Sequence, residues 1–234
     1  MRTLIATAFP VEYALPVMMV AALVARLVLA PVRRFLTGQG CSVNARMRSA
    51  EATGIWAMAV AAMLFCLAPV SPAERIHALL MSGFLLQLGV CDVASGWLPR
   101  RMTVTFLVAG LLASGITAPS VSSLLIRTLL IRTVVTGMMT LMLLYLMSAG
   151  KRRGKPRAQG GILGTGDLWM ITGMVAWLGF PGMMTALITA LAGFVAWHLT
   201  AGTGMRVGGP LGPWLSAGCV LILIQRLYQP LWVV

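Results

Sequence analysis

Long apolar runs alternate with short polar stretches through the whole chain. The runs fall at about 11–31, 53–70, 77–95, 103–118, 132–149, 167–180, 183–200 and 213–233. A bilayer-spanning helix needs about 20 consecutive apolar residues, so most of these runs are read as spans. The pattern predicts an all-α, polytopic transmembrane bundle of about eight helices. Residues 1–234 are expected to form a single integral-membrane domain. Two of the polar stretches stand out: 32–52, a short basic loop, and 150–166, which is basic and then glycine-rich. The run 167–180 is short and ends at Phe180-Pro181-Gly182. A short span entered from a glycine loop points to polar backbone lining a protein cavity rather than facing lipid.

Composition agrees with this reading. Of the 234 residues, 59% are hydrophobic and only 10% charged, and mean hydropathy is +0.91. The net charge of +13 raises nucleic acid as a partner, but the basic residues are concentrated in short loops between apolar runs. That is the signature of membrane topology, and no soluble region exists to hold a nucleic acid. The partner implied here is the lipid bilayer. Loops 32–52, 96–102, 150–166 and 201–212 carry twelve of the eighteen Lys and Arg. The richer side is expected to be cytoplasmic, which turns both termini outward. Cys41, Cys66, Cys91 and Cys219 are widely spaced and form no C-x-x-C pair, so neither a zinc knuckle nor a redox motif can be drawn. The N-terminal stretch lacks the pattern of a cleaved signal peptide.

The chain has only two aspartates, Asp92 and Asp167, and both sit at the ends of apolar runs. An aspartate costs roughly 2.5–3.5 kcal/mol at the centre of a membrane helix. At a helix N-terminus the free N–H groups and the dipole reduce that cost. Asp167 follows Gly161-Ile-Leu-Gly164-Thr-Gly166, and glycine at 164 and 166 lets another backbone approach the carboxylate. Alone, Asp167 reads as a helix N-cap. With Asp92 in a matching position on the same predicted face, the two read as a carboxylate pair fit for acid/base chemistry. The alternative is a small transporter that uses both aspartates for proton or cation coupling. Such sites usually lie near the midplane between inverted repeats. Here both acids lie near one interface and no repeat is evident.

These residues resemble a known family. Asp92-x-x-x-x-Trp97-Leu98-Pro99-x-x-x-Thr103 is similar to the first aspartate motif of type IV prepilin peptidases. Gly164-Thr-Gly166-Asp167 resembles their second, and Gly208-Gly-Pro-Leu-Gly212-Pro213-Trp-Leu is similar to the Gly-Pro motif opening their last helix. Gly179, twelve residues past Asp167, also suits the pattern. A presenilin-like protease shares Gly-x-Gly-Asp but is expected to carry Tyr-Asp in the preceding aspartate helix, where this chain has Cys91-Asp92.

The resemblance implies an aspartic endopeptidase of the inner membrane. It implies that Asp92 and Asp167 are the catalytic pair. It also implies cleavage of basic leaders from type IV prepilins or pseudopilins at the cytoplasmic face, with no metal and no other cofactor. Gly164, Gly166, Pro99, Gly212 and Pro213 are expected to bind substrate or support the site loops. Many family members have paired C-x-x-C motifs in a longer first cytoplasmic loop and also N-methylate the new N-terminus with S-adenosylmethionine. Here loop 32–52 is short and holds one cysteine, Cys41, which cannot supply the four ligands of a tetrahedral zinc. Peptidase activity without methylation is therefore expected. Trp97 is read as an interfacial anchor and His77 and His198 as interfacial residues. The seventeen methionines are read as packing or lipid-facing residues.

Overall fold

The computed structural model describes residues 10–40, 45–114, 130–142, 145, 165–200 and 210–229. Among them the regular elements are helical. After a single 3₁₀ turn at Val11–Tyr13 come α1 (Ala14–Val28), α2 (Ala30–Gly38), α3 (Ala45–Leu67), α4 (Pro72–Ser95) and α5 (Arg100–Ala113). A shorter apolar helix, α6, covers Leu130–Met142. Then follow α7 (Thr165–Thr200) and α8 (Gly212–Tyr228). Because α1 and α2 join in one helical stretch, Val11–Gly38, these make seven helical segments rather than about eight. Four of them are long and apolar enough to cross a membrane.

Two stretches differ from the hydropathy reading. Residues 32–38 and 45–52, expected as loop, are helical. Polar residues end a hydropathy run without ending a helix, because helix propensity does not depend on being apolar. The stretch is basic but remains good helix, held by Arg33, whose Nε and Nη2 both donate to Glu51. The expected division between the runs at 167–180 and 183–200 stands: within α7 the backbone leaves the helical region at Gly179 (φ 71°, ψ 167°). Only glycine enters that region without strain. Pro181 then restarts the helix.

Contacts along α7 show that it doubles back at this break. In its first half, Gly166 meets Leu98, Gly173 meets Phe106 and Gly110 meets Trp177, all running the same way as α5. In its second half, Gly182 meets Arg226, Gly218 meets Ala186 and Gly193 meets Trp214, running against α8. A straight 36-residue helix would be about 54 Å long and could not make both sets. The two limbs of α7 are therefore antiparallel, one laid on α5 and the other on α8.

Glycine and alanine faces bring these helices close. Water-driven burial is weak between membrane helices, so close backbone approach and dispersion dominate their association. Trp177 fills the centre. It is 1% exposed, stacks on Phe106 with centroids 5.9 Å apart and meets His77 edge-on. Its Nε1–H donates to the Phe106 carbonyl at 2.8 Å. A second core lies between α1, α2, α3 and α4, around Leu29, Leu36, Met47 and Val90. Ser71 and Glu74 form a capping box that starts α4 sharply at Pro72.

Candidate active site

Helix α4 ends one turn beyond Asp92. Gly96 takes a left-handed conformation (φ 72°), and its N–H donates to the Asp92 carbonyl at 2.8 Å. This is the glycine stop that carbonyls at a helix C-terminus need. Ser95 Oγ donates to both the Cys91 and Trp97 carbonyls, so the tight turn has its polar backbone satisfied. Pro99 then caps α5. Leu98 and Pro99 are buried, while Trp97 stays 47% exposed and packs edge-on against Phe35 of α2.

The Asp92 side chain points inward and is 4% exposed. Its Oδ2 accepts the backbone N–H of Gly212 at 2.8 Å. Gly212 is the first residue of α8 and Pro213 the second, so the acceptor sits at a helix N-terminus where donors are free and the dipole favours negative charge. A Cβ on Gly212 would lie 2.8–3.1 Å from the Asp92 carboxylate and Cβ atoms, so only glycine fits. One turn back on α4, Gly89 lies against Ser216 and Pro213, and Ser216 Oγ donates to the Leu85 carbonyl. These contacts lock the start of α8 against the end of α4.

Asp167 arrives from the other side. It occupies the first turn of α7 and is half-buried. Its carboxylate is within electrostatic reach of Asp92. Gly166 presses against Leu98, where a Cβ would come within 2.6 Å of the Leu98 Cβ and 2.9 Å of its carbonyl oxygen. Arg100 stands over the Trp169 ring at 5.6 Å, a second tie between the same two segments.

The structure thus gathers Asp92, Pro99, Gly166, Asp167, Gly212 and Pro213 at one end of the bundle. Gly164 lies outside the described residues. Sequence reasoning missed Gly89 and Ser216, and quoted Leu98 only as a motif residue without a role. Gly89 lies three residues before Asp92 and so shares its helix face, which is the signal that would have found it. No group of three His, Cys, Asp or Glu side chains comes together among the described residues.

Fold and site together define a multi-pass helical membrane protein with two carboxylates brought together at one end of its bundle. The family model described as the type IV leader peptidase family matches residues 79–199, just over half of the chain and both aspartates. The chain belongs to that family. It is also similar to a prepilin leader peptidase/N-methyltransferase of Pectobacterium carotovorum subsp. carotovorum, 31% identical over 156 residues. That alignment covers 64% of this chain and 51% of the relative, so the chain spans about half of the relative's length. No solved structure matches.

Proposed function

We propose that this protein is an aspartic endopeptidase of the inner membrane. It removes the basic leader from type IV prepilins or pseudopilins at the cytoplasmic face, using Asp92 and Asp167. The observation that carries the reading is the buried Asp92 carboxylate, pinned by the Gly212 N–H and within electrostatic reach of Asp167. Family membership supports peptidase chemistry, and the excess of Lys and Arg in the loops at the Asp92 end supports the cytoplasmic orientation.

Two neighbouring carboxylates do not readily ionise together, so the pair holds one proton between them. The ionised member takes a proton from water as that water attacks the scissile carbonyl carbon. The protonated member donates to the carbonyl oxygen, giving a neutral tetrahedral gem-diol. Collapse breaks the C–N bond. The leaving nitrogen takes the proton the base had removed, and the second carboxyl recovers its own from the diol. The products are a free carboxyl on the leader and a free amine on the mature subunit. Gly212 ties Asp92 to the start of α8, and the Gly166–Leu98 contact ties the start of α7 to the turn after Asp92.

The reaction is expected to stop at the free amine, because residues 32–52 hold one cysteine, Cys41, too few for the motif that accompanies methylation. The test is co-expression with a prepilin and a gel-shift readout for wild type, Asp92→Asn and Asp167→Asn. Asn keeps size and hydrogen-bonding shape while removing the titratable proton. Cleavage by wild type and by neither variant supports the pair. Normal cleavage by either variant overturns the two-carboxylate mechanism. Mass spectrometry of the product N-terminus then reports whether a methyl group is present.

A further inference from the structure

The end of the bundle opposite the aspartates carries charge of the other sign. His77 lies fifteen residues before Asp92 on α4, roughly 22 Å away along the helix. Around it converge Arg132 of α6 and Arg226 of α8, both within electrostatic reach of His77 and of each other. The Arg226 guanidinium packs against the backbone of Gly182, just past the α7 turn. Arg226 itself reaches the surface, so the cluster is open to the surroundings.

Among the described residues, its buried polar atoms find no partner. Arg132 Nη1, Thr136 Oγ1 and His77 Nδ1 have no hydrogen-bond partner among the described residues. Thr136 is 2% exposed and His77 7%. Arg132 and Thr136 are four residues apart and so share one face of α6. Buried polar groups in native proteins are almost always paired, and a charge left uncompensated in an apolar setting is costlier still.

No acid of the chain balances this charge. There are five in all, Glu12, Glu51, Glu74, Asp92 and Asp167. Glu51 is taken by Arg33, and both aspartates are at the far end. Glu12 is in the turn before α1 and forms no ion pair among the described residues. Glu74 acts on His77 through space, but its carboxylate accepts from Ser71 N–H and Oγ–H. Even with Glu74 counted, two guanidiniums face one carboxylate already in use.

We infer that Arg132, Arg226, Thr136 and His77 form a binding site for a phosphate oxyanion, supplied by the headgroup of an anionic membrane lipid. Guanidinium donors match phosphate oxygens in a planar fork, and Thr136 and His77 add neutral donors. The setting favours lipid over free phosphate. The cluster sits at the end of apolar helices, where headgroups lie, and basic pockets between membrane helices select net-negative lipids. The site would clamp α6, α8 and the α7 turn to one another, and it does not depend on the peptidase reading.

The test uses the purified full chain in neutral detergent, with thermal unfolding followed against added phosphatidylglycerol, phosphatidylcholine or inorganic phosphate. Phosphatidylglycerol is expected to raise the midpoint of wild type, and phosphatidylcholine and inorganic phosphate to leave it in place. Arg132→Gln with Arg226→Gln should lose the shift. Arg48→Gln with Arg101→Gln, at the aspartate end, should retain it. Should the double Gln variant fail to fold, Arg132→Lys with Arg226→Lys keeps the charge. It should still respond, while each single Gln variant retains less phosphatidylglycerol by native mass spectrometry. Equal shifts with phosphatidylcholine, or an undiminished response in the Gln variants, overturn the site. A shift with inorganic phosphate alone overturns the lipid source. No shift with any of the three overturns the proposal.

Discussion

The N–H of Gly212 donates to Asp92 Oδ2 across 120 residues of chain, at 2.8 Å. The donor opens one helix and the acceptor closes another, so the bond fixes the carboxylate relative to α8 rather than to its own helix alone. Gly212→Ala tests that arrangement. The new methyl would fall within 2.8–3.1 Å of the carboxylate and Cβ of Asp92, where the acid must rotate away or α8 must shift. Misplacement of a catalytic group by about 1 Å costs on the order of a hundredfold in rate. Prepilin cleavage by Gly212→Ala is expected to fall by about that factor, and the thermal midpoint to drop as well, because overpacking a buried contact costs about 1–3 kcal/mol; cleavage is therefore compared at a temperature where the variant stays folded. Near-wild-type cleavage would show that Gly212 does not position Asp92.

How much of this was legible in the residues follows from which signals are local. Membrane spans come from run length alone, and Asp92 and Asp167 stood out because each is a costly residue at the edge of an apolar run. The break at Gly179 was visible as Phe180-Pro181-Gly182, and the reversal followed from placing loops 150–166 and 201–212 on one side; which helices the two limbs lie against was not visible. That choice of partners rests on Gly173–Phe106 and Gly193–Trp214, which are long-range pairings. Residues 32–38 were misread as loop because hydropathy reports burial in lipid, not backbone conformation. Gly212 was marked as a motif residue; that its N–H would bond Asp92 depends on the crossing of α4 and α8, to which neither segment points by itself.

Trp177→Phe separates stability from the site. Phe keeps the aromatic stack on Phe106, with centroids now 5.9 Å apart, but removes the Nε1–H donor to the buried Phe106 carbonyl. Phe106 lies inside α5, so its carbonyl keeps the helix N–H of Gly110, and the loss is one net hydrogen bond of about 0.5–1.5 kcal/mol. A lower thermal midpoint in detergent is expected, with prepilin cleavage at low temperature retained. Unchanged stability would mean that the Trp177 Nε1–H bond contributes nothing net.

The Arg33–Glu51 pair ties α2 to α3, with Nη2 to Oε2 at 2.7 Å. The Glu51 side chain is 10% exposed and that of Arg33 48%, so screening by solvent is incomplete but real. Glu51→Gln should cost about 1 kcal/mol. In a double-mutant cycle with Arg33→Gln, the second substitution should cost less than it does alone. Strict additivity of the two would show that the pair contributes nothing to stability. Because α2 also carries Phe35 onto Trp97, loss of the pair should loosen the turn after Asp92, which limited proteolysis around Trp97 would detect.

Gly166 and Leu98 join the two aspartate segments, and a cycle on them tests whether their separation matters for catalysis. A methyl at 166 would meet the Leu98 Cβ at 2.6 Å and its carbonyl oxygen at 2.9 Å. Gly166→Ala should therefore push the start of α7, and Asp167 with it, away from the turn that follows Asp92. Prepilin cleavage is expected to drop by on the order of tenfold to a hundredfold. Leu98→Ala shortens the side chain but leaves its Cβ and carbonyl in place, so it should not restore activity to Gly166→Ala. A deeper cut, Leu98→Gly, removes the Cβ clash and leaves only the carbonyl contact. It should recover part of the lost rate in the double variant, measured against Leu98→Gly alone. Full recovery by Leu98→Ala would mean that the side chain beyond Cβ, not the backbone spacing, sets the position of Asp167.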